Sequence, residues 1–371
     1  MLRKIGVEEE LLLIDPDTLM LKPVSEGAIR LHQPDLAEQD LQHELFLQQI
    51  ESATEPCLDV DRLIRALRAA RRTASKAARD AGAAAIAVGT PVLWNTEGDV
   101  TPHDRYRRML RTYGAIGRQA LVCGMHVHVD IASDEEAVGV IDHIRPWIPV
   151  LMAIAVNTPF HQGIDTGYAS WRAHVWSSWP SAGPVEPFGG FDRYRAAVND
   201  MIAFGAAMDE AMVYFDVRRS TSYPTVEIRV CDVCTDVEVA ALVAVLARAL
   251  VMTTSLDWSA GRPLASWRID LLRAARWRAS RYGLSDRLLD PASKELRPAP
   301  EALGSLIQYV TDALDETGDG PYVIQCIERL VTYGTGADRQ RAVATKYGRL
   351  SAVVEDLLRR TGPNHHSAVP E

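Results

Sequence analysis

Three segments of this chain each place two polar side chains two residues apart in an apolar, strand-like setting: Glu8-Glu9-Glu10, His126-Val127-His128 and Glu227-Ile228-Arg229. In a strand, residues two apart project to the same face. Glu8 and Glu10 therefore share a face, with Val7, Glu9 and Leu11 on the other. His126 and His128 are opposed by Val127 and Val129, and Glu227 and Arg229 by Val226, Ile228 and Val230. Taken singly, each pair has an ordinary explanation: edge-strand charges, hydrogen-bonded core histidines, or a cross-strand ion pair. Recurring three times, they point to neighbouring strands of one sheet, apolar behind, with carboxylates, imidazoles and a guanidinium in front.

Such a surface suits divalent cations together with a polyphosphate. Carboxylate oxygens favour Mg²⁺, and an added imidazole makes Mn²⁺ a competent substitute. The arginine supplies a planar fork matched to phosphate oxygens.

Around these segments the chain reads as mixed helix and strand. Residues 5–14 form a strand that stops at Asp15-Pro16-Asp17, 83–88 and 121–131 read as buried strands, and 61–81 as a helix with Gly82 ending it. The basic residues of that helix are expected on a solvated face. Residues 237–256 read as a mostly buried helix with Asp236 as its N-cap, serving the core in preference to a subunit interface that would make a homo-oligomer. The Trp171, Trp176 and Trp179 stretch, rich in Pro and Gly to residue 190, reads as a long loop, either a lid or substrate wall or packed structure. Without a regular βαβ rhythm the class is α+β. No repeat or low-complexity linker divides the chain, so residues 1–362 are expected to form a single domain and 363–371, with His365 and His366, a mobile tail.

Composition narrows the function. At 47% hydrophobic and 24% charged, the 371 residues are those of a globular protein with a large core. The net charge of -9 does not favour a nucleic-acid partner. Asp142, His143 and Arg145 interrupt one apolar run and Arg248 another, so no membrane span is expected. The acidic triplet at 8–10 falls where a signal peptide would be apolar. Five scattered cysteines make no disulfide framework, and Cys231-x-x-Cys234 has no second pair at zinc-ribbon spacing. A reducing cytoplasm fits.

The segments Ile5-Gly6-Val7-Glu8-Glu9-Glu10, Gly124-Met125-His126-Val127-His128-Val129 and Thr225-Val226-Glu227-Ile228-Arg229-Val230-Cys231-Asp232 resemble the glutamate-cysteine ligase type 2 family, the bacterial carboxylate-amine ligases. Supporting matches are 44–54 with Glu51, Val88-Gly89-Thr90-Pro91, Arg105-Tyr106, Asn157-Thr158-Pro159-Phe160 and Arg281-Tyr282-Gly283-Leu284. The resemblance implies a catalytic domain like that of glutamine synthetase and glutamate-cysteine ligase, mainly an antiparallel sheet with one polar active-site face and helices on the other. It also implies an ATP-dependent ligase that joins a small carboxylate to an amine, amino acids first among them, through an acyl phosphate.

Carried onto this sequence, the resemblance makes Glu8, Glu10 and Glu51 ligands of one divalent metal, and gives His126 and Glu227 the metal between the ATP phosphates. Arg229 would contact the transferred phosphoryl group. Arg172 and Arg218 would meet substrate carboxylate or phosphate, and His128 would support a ligand or touch nucleotide or substrate.

The chain has neither G-x-x-x-x-G-K-[ST] nor a strand followed by G-x-G-x-x-G, which excludes a P-loop and a Rossmann site. Three other readings stay open: a guanidino-kinase-like phosphotransferase, a metal-dependent hydrolase, and a non-catalytic regulator that binds ATP or a metabolite. Product identity separates them.

Overall fold

The computed structural model describes residues 2–32, 41–94 and 97–362, so the tail with His365 and His366 lies outside it. Eleven strands occur among the described residues: β1 (Ile5–Ile14), β2 (Leu41–His43), β3 (Gln49–Ala53), β4 (Ala84–Ile86), β5 (Gly124–Asp130), β6 (Phe160–His161), β7 (Ile164–Asp165), β8 (Val217–Arg219), β9 (Thr225–Asp232), β10 (Arg287–Asp290) and β11 (Glu295–Pro298). Seven of them make one sheet in the order β2-β3-β1-β5-β9-β8, with β4 also on β1. Every pairing in it is antiparallel. This is the α+β arrangement that the sequence implies.

The register aligns the three polar pairs. Glu8 lies opposite His126, Glu10 opposite Glu51, His128 opposite Glu227, and Arg218 opposite Glu227 on its other side. Between Met125 and Val127 the pairing with β9 shifts by one residue, so Arg229 and Val230 together face His126. This β-bulge changes which residues point forward beyond it. Asp232 consequently pairs with Gly124, in line with the histidines.

The back of the sheet is covered by helices Val60–Asp80, Asp134–Ile144, Ile148–Ile154 and Val237–Ser259. Asp59 caps the first, accepting from the Arg62 amide at 2.7 Å, and Gly82, at φ +71°, lets the chain turn away at its end. Leu63, Leu67, Ala74, Ala77 and Ala78 form its buried stripe, the alanines allowing close approach to the strands. Arg71 departs from the expected solvated face: it sits within that stripe and is fully buried against Glu9.

Val237–Ser259 is apolar over most of its surface and lies in the core, packed on β1 and β5 and under the helices Thr311–Thr317 and Gly320–Tyr333. It and the stretch Asp134–Ile154 are long and apolar enough to cross a membrane, but 83% and 94% of their most apolar windows are buried inside the protein. Arg248, at the centre of the former, is tied to Asp319 and to the Leu58 carbonyl. Asp236 stands at this helix's N-cap without capping it: one carboxylate oxygen accepts from both Arg339 and Arg360, and the other has no hydrogen-bond partner among the described residues. The stretch 171–190 is not all loop, since Trp171–Trp176 is helical with Ser170 capping it. All five cysteines are free and buried.

Candidate active site

A cavity of about 330 Å³ opens over the front of the sheet. Its floor is the polar row: Glu8 and Glu10 from β1, Glu51 from β3, His126 and His128 from β5, Arg218 from β8, Glu227 and Arg229 from β9. The walls add Glu44, Arg105, Tyr106, Trp176, Trp179 and Tyr214.

Eight of the nine residues singled out in the sequence therefore line one cavity. The ninth, Arg172, is brought beside it without lining it. Its side chain is buried against Gly124, with Nη1 3.5 Å from the Val230 carbonyl and Nη2 3.4 Å from that of Arg229. Asp232 fixes this neighbourhood. One oxygen accepts from the Asn157 amide and the Thr158 hydroxyl at 2.8 and 2.9 Å, and the other from the Ser170 hydroxyl at 2.7 Å, at the start of the helix that carries Arg172 and Trp176.

Two groups of three potential ligands emerge, Glu8 with His128 and Glu227, and Glu10 with Glu44 and Glu51; within each, one ligand atom per residue lies within 4.8 Å of the others. His126 lies between them, Nδ1 3.2 Å from Glu8 and 3.9 Å from Glu227, Nε2 3.7 Å from Glu10. Glu44 escaped the sequence reading. It lies in the turn that joins β2 to β3, where two-residue alternation does not apply, and the only signal for it was its place in the 44–54 segment.

The carboxyls are not alike. Burial opposes the charge on Glu8, but hydrogen bonds to His126 and His128 outweigh it and hold the carboxyl far below the usual range. Burial opposes the charge on Glu227 too, yet Arg229 and Arg218 draw its pKa well down. At Glu10 burial prevails, reinforced by Glu44, and the pKa rises. Burial and the charges of Glu44 and Glu8 push Glu51 higher still. Burial and the nearby Arg229 lower the pKa of His126, which keeps a ring lone pair available.

Several donors and acceptors point to a missing partner. His126 Nε2 and Arg229 Nε are buried without hydrogen-bond partners among the described residues. Buried polar atoms are seldom left so, and each is costly unless something completes it. A cation within each carboxylate group would offset the burial and the repulsion that together raise Glu10 and Glu51, and an anionic ligand would satisfy Arg229. Oxygen-rich ligands with an imidazole suit Mg²⁺ or Mn²⁺.

The glutamate-cysteine ligase family 2 model matches residues 4–356. A protein of Nocardioides sp. named "Putative glutamate--cysteine ligase 2-1" is 48% identical over 369 residues, covering 97% of this chain and 96% of that protein. A Streptomyces coelicolor protein named "Putative glutamate--cysteine ligase 2" is 44% identical over 365 residues, covering 97% and 99%. Among solved structures, the fold resembles a glutamate-cysteine ligase of Francisella tularensis in complex with AMP, with a TM-score of 0.71 at 12% identity over 98% of this chain and 89% of that one. It also resembles a bifunctional glutathione synthetase of Pasteurella multocida, with a TM-score of 0.69 at 14% identity over 97% of this chain and 52% of that one. On its sequence, this chain belongs to glutamate-cysteine ligase family 2.

Proposed function

We propose that this protein is an ATP-dependent ligase that joins a small carboxylate to an amine, with release of ADP and phosphate. The observation that carries the reading is the facing of two carboxylate-rich ligand groups by Arg229, whose Nε is buried and unpaired among the described residues. The names of the relatives make glutamate and cysteine the first substrates to test, and the AMP-bound neighbour supports an adenine nucleotide in this cavity.

In this reading Glu10, Glu44 and Glu51 hold one divalent cation, and Glu8, Glu227 and one or both histidines hold another. When bound, the cations neutralise phosphate charge. Arg229 donates to the transferred phosphoryl group, where charge accumulates as the substrate carboxylate attacks. Arg218 grips Glu227 through Nε at 2.7 Å and Nη2 at 3.2 Å, and so fixes the direction of that carboxylate. The acyl phosphate then meets the amine, and an amide bond forms as phosphate leaves. Trp176, Trp179 and Tyr214 wall the cavity and limit water, which would otherwise hydrolyse the activated acyl group. Arg172, held off the cavity, acts by fixing Gly124 and the end of β9. In this reading the protein works in the cytoplasm, a compartment that suits five free cysteines.

The test is ADP release with Mg²⁺ or Mn²⁺, with and without pooled amino acids, followed by mass spectrometry of the products. Pool-dependent ADP and a condensed mass are expected. Failure to release ADP from any pool, together with no heat of nucleotide binding in calorimetry, would overturn the reading.

A further inference from the structure

We propose that the buried ion pair of Glu9 and Arg71, behind the sheet, is a positioning device for the carboxylates in front of it; the inference rests on the metal-dependent reading above. Glu9 stands between Glu8 and Glu10, so its side chain leaves by the opposite face of β1. There its oxygens accept from Arg71 Nε at 2.9 Å and Nη2 at 2.6 Å. Both side chains are 1% exposed.

The same guanidinium donates to the carbonyls of Thr235 at 2.5 Å and Cys234 at 2.6 Å, just beyond the end of β9. β1 and β9 are not neighbours, because β5 runs between them. Arg71 thus ties the strand bearing Glu8 and Glu10 to the chain that leaves the strand bearing Glu227 and Arg229, reaching across behind β5.

The front of the sheet needs such a tie. Carboxylates crowded on one face repel one another, and a slip of one residue in β1 would turn Glu8 and Glu10 to the back. With Glu9 locked in a guanidinium fork, a slip would strand both a buried carboxylate and a buried cation. Stability alone does not explain the pair, because a buried ion pair commonly adds little over an apolar pair of the same size. Its four donor contacts fix backbone positions on both sides of the histidine strand, and so set the spacing of the two ligand groups.

The experiment uses the full chain and Mn²⁺ alone, with free Mn²⁺ read by electron paramagnetic resonance, so no turnover is needed. Arg71→Lys keeps the charge beside Glu9 but cannot reach both oxygens and both carbonyls. It is expected to raise the Mn²⁺ dissociation constant about 10-fold or more, the scale seen when groups that orient metal ligands are lost. Leu67→Ala, one turn earlier on the same helix and fully buried, removes core packing without touching Glu9 and is expected to leave Mn²⁺ binding unchanged. Should Arg71→Lys lack a cooperative melt, Glu9→Gln, which keeps the shape, is read in its place. Unchanged Mn²⁺ binding in the pair variant, or equal weakening in Leu67→Ala, would overturn the inference. Absence of Mn²⁺ binding in the unaltered protein would instead overturn the metal-dependent reading itself.

Discussion

Arg218 and Glu227 stand directly opposite each other on β8 and β9 and close a two-pronged ion pair, while Arg229 reaches the same carboxylate from its own strand. One glutamate is therefore the shared counter-charge of two buried guanidiniums in the cavity. Glu227→Gln is expected to cut ADP-forming turnover by at least about 100-fold, the scale of a lost electrostatic contact to the reacting group. It should also lower the melting temperature, because two buried cations lose their counter-charge. Glu10→Gln should abolish turnover with the far-UV circular dichroism unchanged. Full activity in both variants would remove these residues from the site.

Glu44 gives a separate test of the carboxylate group that the sequence left incomplete. Glu44→Gln keeps the side-chain size, and removing one of three anionic oxygens is expected to weaken Mn²⁺ binding by about 10-fold or more. Titration of Mn²⁺ against the protein measures it. Binding equal to that of the unaltered protein would leave Glu10 and Glu51 without a third partner.

Gly124 tests the packing beneath the site. A Cβ there would lie 2.1 Å from Arg172 Nη2 and 2.7 Å from its Cζ. Gly124→Ala must therefore push Arg172 off the carbonyls of Arg229 and Val230, at a cost of about 1–3 kcal/mol as in other overpacked interiors. Urea unfolding measures the loss, and an unchanged midpoint would show that Arg172 has room to move.

His161 gives a pH test away from the cavity. Burial alone pulls its pKa from 6.5 to about 4. Between those values the unfolded chain binds more protons than the folded one, so stability falls as pH drops through that window. His161→Gln removes this contribution, and the urea midpoint of the variant should decline less steeply there. Parallel declines for the two proteins would contradict the assignment.

What could be read from the sequence follows from where strict periodicity operates. Glu8, Glu10, His126, His128, Glu227 and Arg229 were legible because each pair sits within a strand, where alternation places side chains with no knowledge of the partners. Glu44 was not, because turns have no such rule. The bulge opposite His126 was equally hidden, since an extra residue is defined only against a neighbouring strand, and with it the forward placement of Asp232. Arg71 was misplaced for another reason. Four residues after Leu67 and three before Ala74, it occupies the apolar stripe of its helix, and that position was better evidence of burial than its charge was of exposure. Asp236 shows the converse: the cap position was right, but its side chain turns one oxygen to two arginines from the far C-terminal region and neither oxygen to the helix amides.

The strongly apolar helix Val237–Ser259 has a consequence for how the chain is made. It spans 23 residues, and its most apolar window averages a hydropathy of 2.0. One side of it packs on elements made earlier, Asp134–Ile144 and Val60–Asp80 among them, but the helices over its other side, Thr311–Thr317 and Gly320–Tyr333, come later in the chain. As the nascent polypeptide emerges, that second side therefore precedes its cover, and until Tyr333 has left the ribosome it offers chaperones, or other unfinished chains, an uncovered sticky surface.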